Sequence, residues 1–155
     1  MGVILKLVKI EDATKNLEEQ IENSTEIVDL YKCYTDVLIV LGNVIFPDEL
    51  DFDNLIRTSV YGKLKMETFK KFNLVGLNST EIVIQCCEHL NKMNINTLNK
   101  FEEYYNNLDS EVLEELKGLG SPKPSELFEA YIKPMLTLYN NVKENSGAIG
   151  MITIG

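Results

Sequence analysis

The apolar residues of this chain fall into two periods. At both ends they run almost without interruption. Val3 to Ile10 mixes β-branched and apolar residues, with Lys6 and Lys9 as the only polar positions. Ala148-Ile149-Gly150-Met151-Ile152-Thr153-Ile154 is the matching run near the C-terminus. Each predicts a strand, the first buried mainly on one face. A lone apolar strand is a poor element in water, so the two are expected in one small sheet, paired directly or through another strand.

Between the ends the spacing turns helical. Glu11 to Asn23 carries acidic residues in its first turn, as a helix start does. Ser24 or Thr25 suits the cap of a second helix, in which Ile27, Val28, Tyr31, Tyr34, Val37, Leu38 and Leu41 recur at three and four. Pro47 breaks that pattern, Asp48 and Glu49 suit a new start, and Leu50 to Leu64 shows no regular period. Ser79 predicts an N-cap for residues 80–93, with Ile82, Val83, Cys86, Cys87, Leu90 and Met93 on one face. Asn96, Ser110 and Ser125 open three more helices, and Pro134 falls inside the last, where it should bend it or loosen one turn. Gly147 then releases the chain into the final strand. Terminal strands around a run of helices make the expected fold α+β. With no repeat, low-complexity segment or long linker, residues 1–155 are expected to form a single domain.

Composition narrows the class. A chain of 155 residues, 45% hydrophobic and 25% charged, has enough apolar surface to fold without a disulfide or metal. The longest apolar run, Val37 to Phe46, is too short for a membrane span and is broken by Gly42 and Asn43. The opening MGVILKLVKIED passes from apolar to charged residues without a cleavage site, so a cytoplasmic protein is expected. The net charge of −9 disfavours nucleic acid as a partner, because phosphate binding needs a concentrated basic surface. The charge is uneven. Residues 1–55 hold 12 acidic and 4 basic side chains, residues 56–100 hold 3 and 7, and residues 101–155 hold 9 and 4.

Several segments in order resemble the YfbM-like family, bacterial proteins of unknown function. They are the opening Met1-Gly2 with its strand and acidic helix, and Leu50-Asp51-Phe52-Asp53, similar to the family's Leu-Asp-x-Asp stretch. The helix and short helix of Leu77 to Leu98, the segment Asp109 to Leu116, and the last helix leading into Gly147-Ala148-Ile149-Gly150-Met151-Ile152 follow. The resemblance implies an α+β fold and no activity. Family members commonly carry a Trp, and a His four residues later, just after Leu-Asp-x-Asp. Here Ile56 and Val60 stand at those positions, and the chain has no Trp. A glycine-rich insertion that typically follows is shortened to Gly62–Gly76.

Candidate chemistry is sparse. The lone His89 shares a helix face with Cys86, beside Cys87, but one His and three Cys offer none of the paired spacings of a zinc site. Buried, reduced thiols on a core-facing helix are the simpler reading, and no metal, cofactor or catalytic group is expected. A helix interior is also a poor place for a thiol nucleophile. Asn23-Ser24-Thr25 and Asn78-Ser79-Thr80 read as helix caps rather than glycosylation acceptors.

The expectation that follows is a non-enzymatic acidic binding protein, of the kind that masks a cationic protein as immunity proteins and inhibitors do. Its partner surface is expected at Asp48, Glu49, Asp51 and Asp53, with Tyr104 and Tyr105 as aromatic anchors. The competing reading is a degenerate enzyme or small-ligand domain using Asp51, Asp53 and His89. Self-association through an exposed sheet edge is a third.

Overall fold

The structure is a computed structural model that describes residues 3–154. The two apolar ends of the chain meet. Strand β1 (Ile4–Ile10) pairs antiparallel with β5 (Ala148–Ile154) along its whole length, with Ile4 opposite Ile154 and Ile10 opposite Ala148. Three further strands complete the sheet: β2 (Ile27–Tyr31), β3 (Leu64–Thr68) and β4 (Asn73–Asn78). The order is β2-β1-β5-β4-β3, with every neighbouring pair antiparallel. The fold is α+β.

Strand β2 corrects the helix expected from Ser24 to Leu41. Val28 and Leu30 are buried in alternation and the segment pairs with β1, which a short β-branched run does better than it packs as a helix. Tyr31 then turns at a positive φ of 49°, with its N–H donating to the Asp29 carboxylate at 2.8 Å. Helix α2 (Tyr34–Gly42) starts only after that turn. The N-terminal helix is likewise shorter than expected. α1 is Leu17–Asn23, with the Asn16 side chain accepting from the Glu19 N–H at 3.1 Å.

The other helices are α3 (Leu55–Tyr61), α4 (Thr80–Lys92), α5 (Leu98–Asn106), α6 (Ser110–Leu119), α7 (Pro124–Leu127) and α8 (Lys133–Glu144). A π-helical turn, Phe128–Ile132, joins α7 to α8. It lies immediately before Pro134, which lacks an N–H and crowds the carbonyl four residues back. Widening the helix there relieves both demands.

Both faces of the sheet are covered, not mainly one. Leu5, Leu7, Ile149 and Met151 face the main core of α2, α3, α4 and α8. Val8, Ile10, Leu74 and Ile152 face a smaller cluster closed by Ile21 of α1 and by Phe72. Lys6 and Lys9 lie in β1 and form ion pairs, Lys6 with Asp29 of β2 at 3.5 Å and Lys9 with Glu26 just before it at 2.7 Å. Among the described residues no helix is long and apolar enough to cross a membrane.

Candidate functional site

The four expected carboxylates sit on one connection, between α2 and α3. α2 ends at Asn43, which adopts the left-handed conformation and accepts the Asp109 N–H on its side chain at 3.0 Å. Phe46 is extended, and Pro47–Glu49 make one 3₁₀ turn. Leu50 then plugs into the core, and Asn54 caps α3 by accepting from the N–H groups of Ile56 and Arg57 at 2.9 and 3.1 Å. Arg57 reaches back so that its Nη1 donates to the Leu50 carbonyl at 3.0 Å. The backbone of this loop is therefore fixed at Leu50 and Asn54, and the intervening side chains are directed outward.

Asp48, Glu49, Asp51 and Asp53 are all exposed. So are two phenylalanines of the same loop, Phe46 at 62% and Phe52 at 73%. Buried apolar residues hold folds together, so a pair of phenylalanines left this open on an acidic loop is informative. The Phe52 ring has a cation against one face. The Arg57 guanidinium lies over it at 4.4 Å from the ring centre, and 5.9 Å from that of Tyr61. Asp53 is paired with Lys63 at 3.5 Å, a wholly exposed carboxylate whose pair adds little to stability. Beside the loop, Phe52, Tyr61, Leu64 and Met66 line a shallow groove of about 210 Å³.

The expected tyrosine anchors sit differently. The Tyr104 hydroxyl is 2.9 Å from both the Val40 and the Leu41 carbonyl oxygens, at the C-terminal end of α2. Burial pushes its phenol up to about 12. Tyr104 thus places a donor at the C-terminal end of α2, where carbonyls run out of partners within the helix. Tyr105 is half-buried against Phe101, and burial, with a smaller contribution from Asp36, raises its phenol too. Among the described residues the exposed aromatics are Tyr31, at the end of β2, and Phe46 and Phe52 of this loop. Phe52 carries a signal in the sequence: an aromatic between Asp51 and Asp53, in a stretch without helical period, has no core face to join.

Cys86 and Cys87 are buried free thiols. Cys86 lies 3.9 Å from the Leu55 carbonyl and Cys87 3.3 Å from the Asn140 side-chain oxygen. Burial pushes both thiols up, opposite to what a nucleophile needs. His89 is half-buried on α4. Among the described residues no group of three or more His, Cys, Asp or Glu could hold a metal ion. Neither the groove beside Phe52 nor a larger one of about 430 Å³, between Ile27 of β2 and Lys133 and Asn141 of α8, is lined by Asp51, Asp53 or His89. Ile56 and Val60, where the resemblance places Trp and His in relatives, are both core residues of α3. The Gly62–Gly76 stretch is the β3–β4 hairpin with its approaches.

No protein-family model matches the sequence, and no curated protein matches it. Among solved structures, the crystal structure of YfbM from Escherichia coli, described as a protein of unknown function, is similar with a TM-score of 0.58 at 11% identity. The match covers 97% of this chain and 99% of that one. The chain thus shares the YfbM fold over nearly all of its length, and at this identity the likeness is one of fold.

Proposed function

We propose that this chain is a non-enzymatic binding protein that masks a cationic protein, in the manner of an inhibitor or immunity protein, through the loop from Phe46 to Asp53. The observation that supports this most is the exposure of Phe46 and Phe52 among four exposed carboxylates on one firmly held loop. An aromatic anchor surrounded by charge is the usual economy of a protein interface: the ring supplies buried area, and the charges set approach and specificity. The fixing of the loop by Leu50, Asn54 and Arg57 lowers the ordering cost of binding. The chain's −9 charge adds long-range attraction for a basic partner. The same reading puts the protein in the cytoplasm, where Cys33, Cys86 and Cys87 stay reduced.

The test is capture from lysate of the source cell with the tagged chain as bait, at about 50 and about 300 mM salt. A basic protein held at low salt and thinned at high salt supports the reading. No protein retained at low salt contradicts it.

A further inference from the structure

We propose that a second copy of this chain docks on β3, the two strands running antiparallel about a two-fold axis at Met66, so that Lys65 of each copy faces Glu67 of the other. β3 is an edge strand, and all five of its residues are exposed, Leu64 at 77% and Met66 at 69%. An edge of this kind offers a row of backbone donors and acceptors to another strand.

The opposite edge of the sheet is different. On β2 the charges are already taken within the chain, Asp29 by Lys6, while Glu26 just before the strand is taken by Lys9. Its Val28 and Leu30 point into the core. On β3 the side chains of Lys65 and Glu67 have no ion-pair partner among the described residues. The sequence Leu64-Lys65-Met66-Glu67-Thr68 is self-complementary in one arrangement. Turned antiparallel on itself about Met66, it places Lys65 against Glu67 twice, Met66 against Met66 and Leu64 against Thr68. A two-fold interface requires this reciprocity, and opposite charges directly across a strand pair are stabilising.

The side chains complete the fit. The β3–β4 ladder slips between Leu64 and Glu67, and Leu64 and Met66 both line the groove with Val75, Tyr61 and Phe52. The partner's Met66, flexible and unbranched, is suited to fill that groove. The seam uses β3 and meets the acidic loop at Phe52, which lines the same groove.

Sedimentation equilibrium on the full chain over about 1–200 µM tests this. The wild type should dimerise reversibly within that range. Lys65→Glu alone and Glu67→Lys alone each bring like charges together twice across the seam, and each should weaken the dimer about tenfold or more. The double exchange restores opposite charges and should return the affinity to within about threefold of the wild type. Circular dichroism checks that these exposed-site variants are folded. A wild type that stays monomeric overturns the proposal. So does a dimer indifferent to the single exchanges, or one that the double exchange fails to restore.

Discussion

The Tyr139 hydroxyl of α8 donates to the Ser59 carbonyl oxygen of α3 at 2.6 Å, deep in the core. Asn78, at the end of β4, donates to the Thr58 carbonyl at 2.8 Å and to the Tyr139 hydroxyl at 3.2 Å, and accepts the Lys63 N–H at 3.0 Å. These contacts close the buried C-terminal end of α3, whose last carbonyls have no partner within the helix. The helix whose other end carries Asn54 and Arg57 is thereby pinned, and with it the acidic loop. Tyr139→Phe should cost about 1–3 kcal/mol, because it leaves a buried carbonyl without its donor. Urea unfolding of the two proteins measures it, and a loss below about 0.5 kcal/mol would count against this role.

Gly76 of β4 has no room for a side chain. A Cβ there would land on the carbonyl oxygen of Tyr61, with the Gly62 Cα only 3.1 Å away. Both obstacles are backbone, so neither can rotate aside. Gly76→Ala should therefore destabilise by about 3 kcal/mol or more, through displacement of the β3–β4 hairpin from α3. Soluble yield and thermal midpoint report this, and a variant melting like the wild type would contradict it.

Arg57 is expected to hold the loop by shape as well as by charge. It bonds the Leu50 carbonyl while its guanidinium carbon sits 4.4 Å from the centre of the Phe52 ring. Arg57→Ala should accelerate amide exchange across residues 50–54 by about tenfold, and Arg57→Lys should recover little of it, since an ammonium cannot stack as a planar guanidinium does. Protection unchanged in Arg57→Ala would show that Leu50 and Asn54 suffice.

Alkaline pH should find a weak point at Tyr104. Its phenol is raised from 10.0 to about 12 by burial, so folding favours the neutral form. A raised value means the associated stability is fully present below the unfolded pKa, near 10, and is lost as pH climbs to about 12, by about 2–3 kcal/mol in all. Tyr104→Phe should cost about 1–2 kcal/mol at neutral pH, because it loses the hydroxyl's bond to the end of α2. The gap between variant and wild type should then narrow above about pH 10. Unfolding curves at a series of pH values check this; a gap constant to pH 11.5 or so would contradict it.

The parts of the fold legible in the sequence are those whose pattern has one solution. β1 and β5 are continuous β-branched and apolar runs, and α4 repeats its apolar face over three turns. Ile27 to Tyr31 fits both periods, and five residues are too few to separate them; pairing with β1 decides the outcome. β3 buries no residue and so leaves no pattern to read. In the candidate site, the carboxylates were legible because a charged stretch without helical period has nowhere to go but the surface. The anchors were harder. A tyrosine on a helix suits an interface and a core edge equally, and only the approach of Tyr104 to the Val40 and Leu41 carbonyls assigns it to the second.

The acidic loop carries the proposed function, and a pair of baits tests it directly. The wild type and a variant carrying Phe46→Ser, Asp48→Asn, Asp51→Asn and Phe52→Ser are offered the same lysate of the source cell at about 50 mM salt. All four positions are exposed, so the variant should fold like the wild type, which circular dichroism verifies. The wild type should retain a basic protein that the variant does not. Equal retention by both, or none by the wild type, would contradict a loop built to bind a cationic partner.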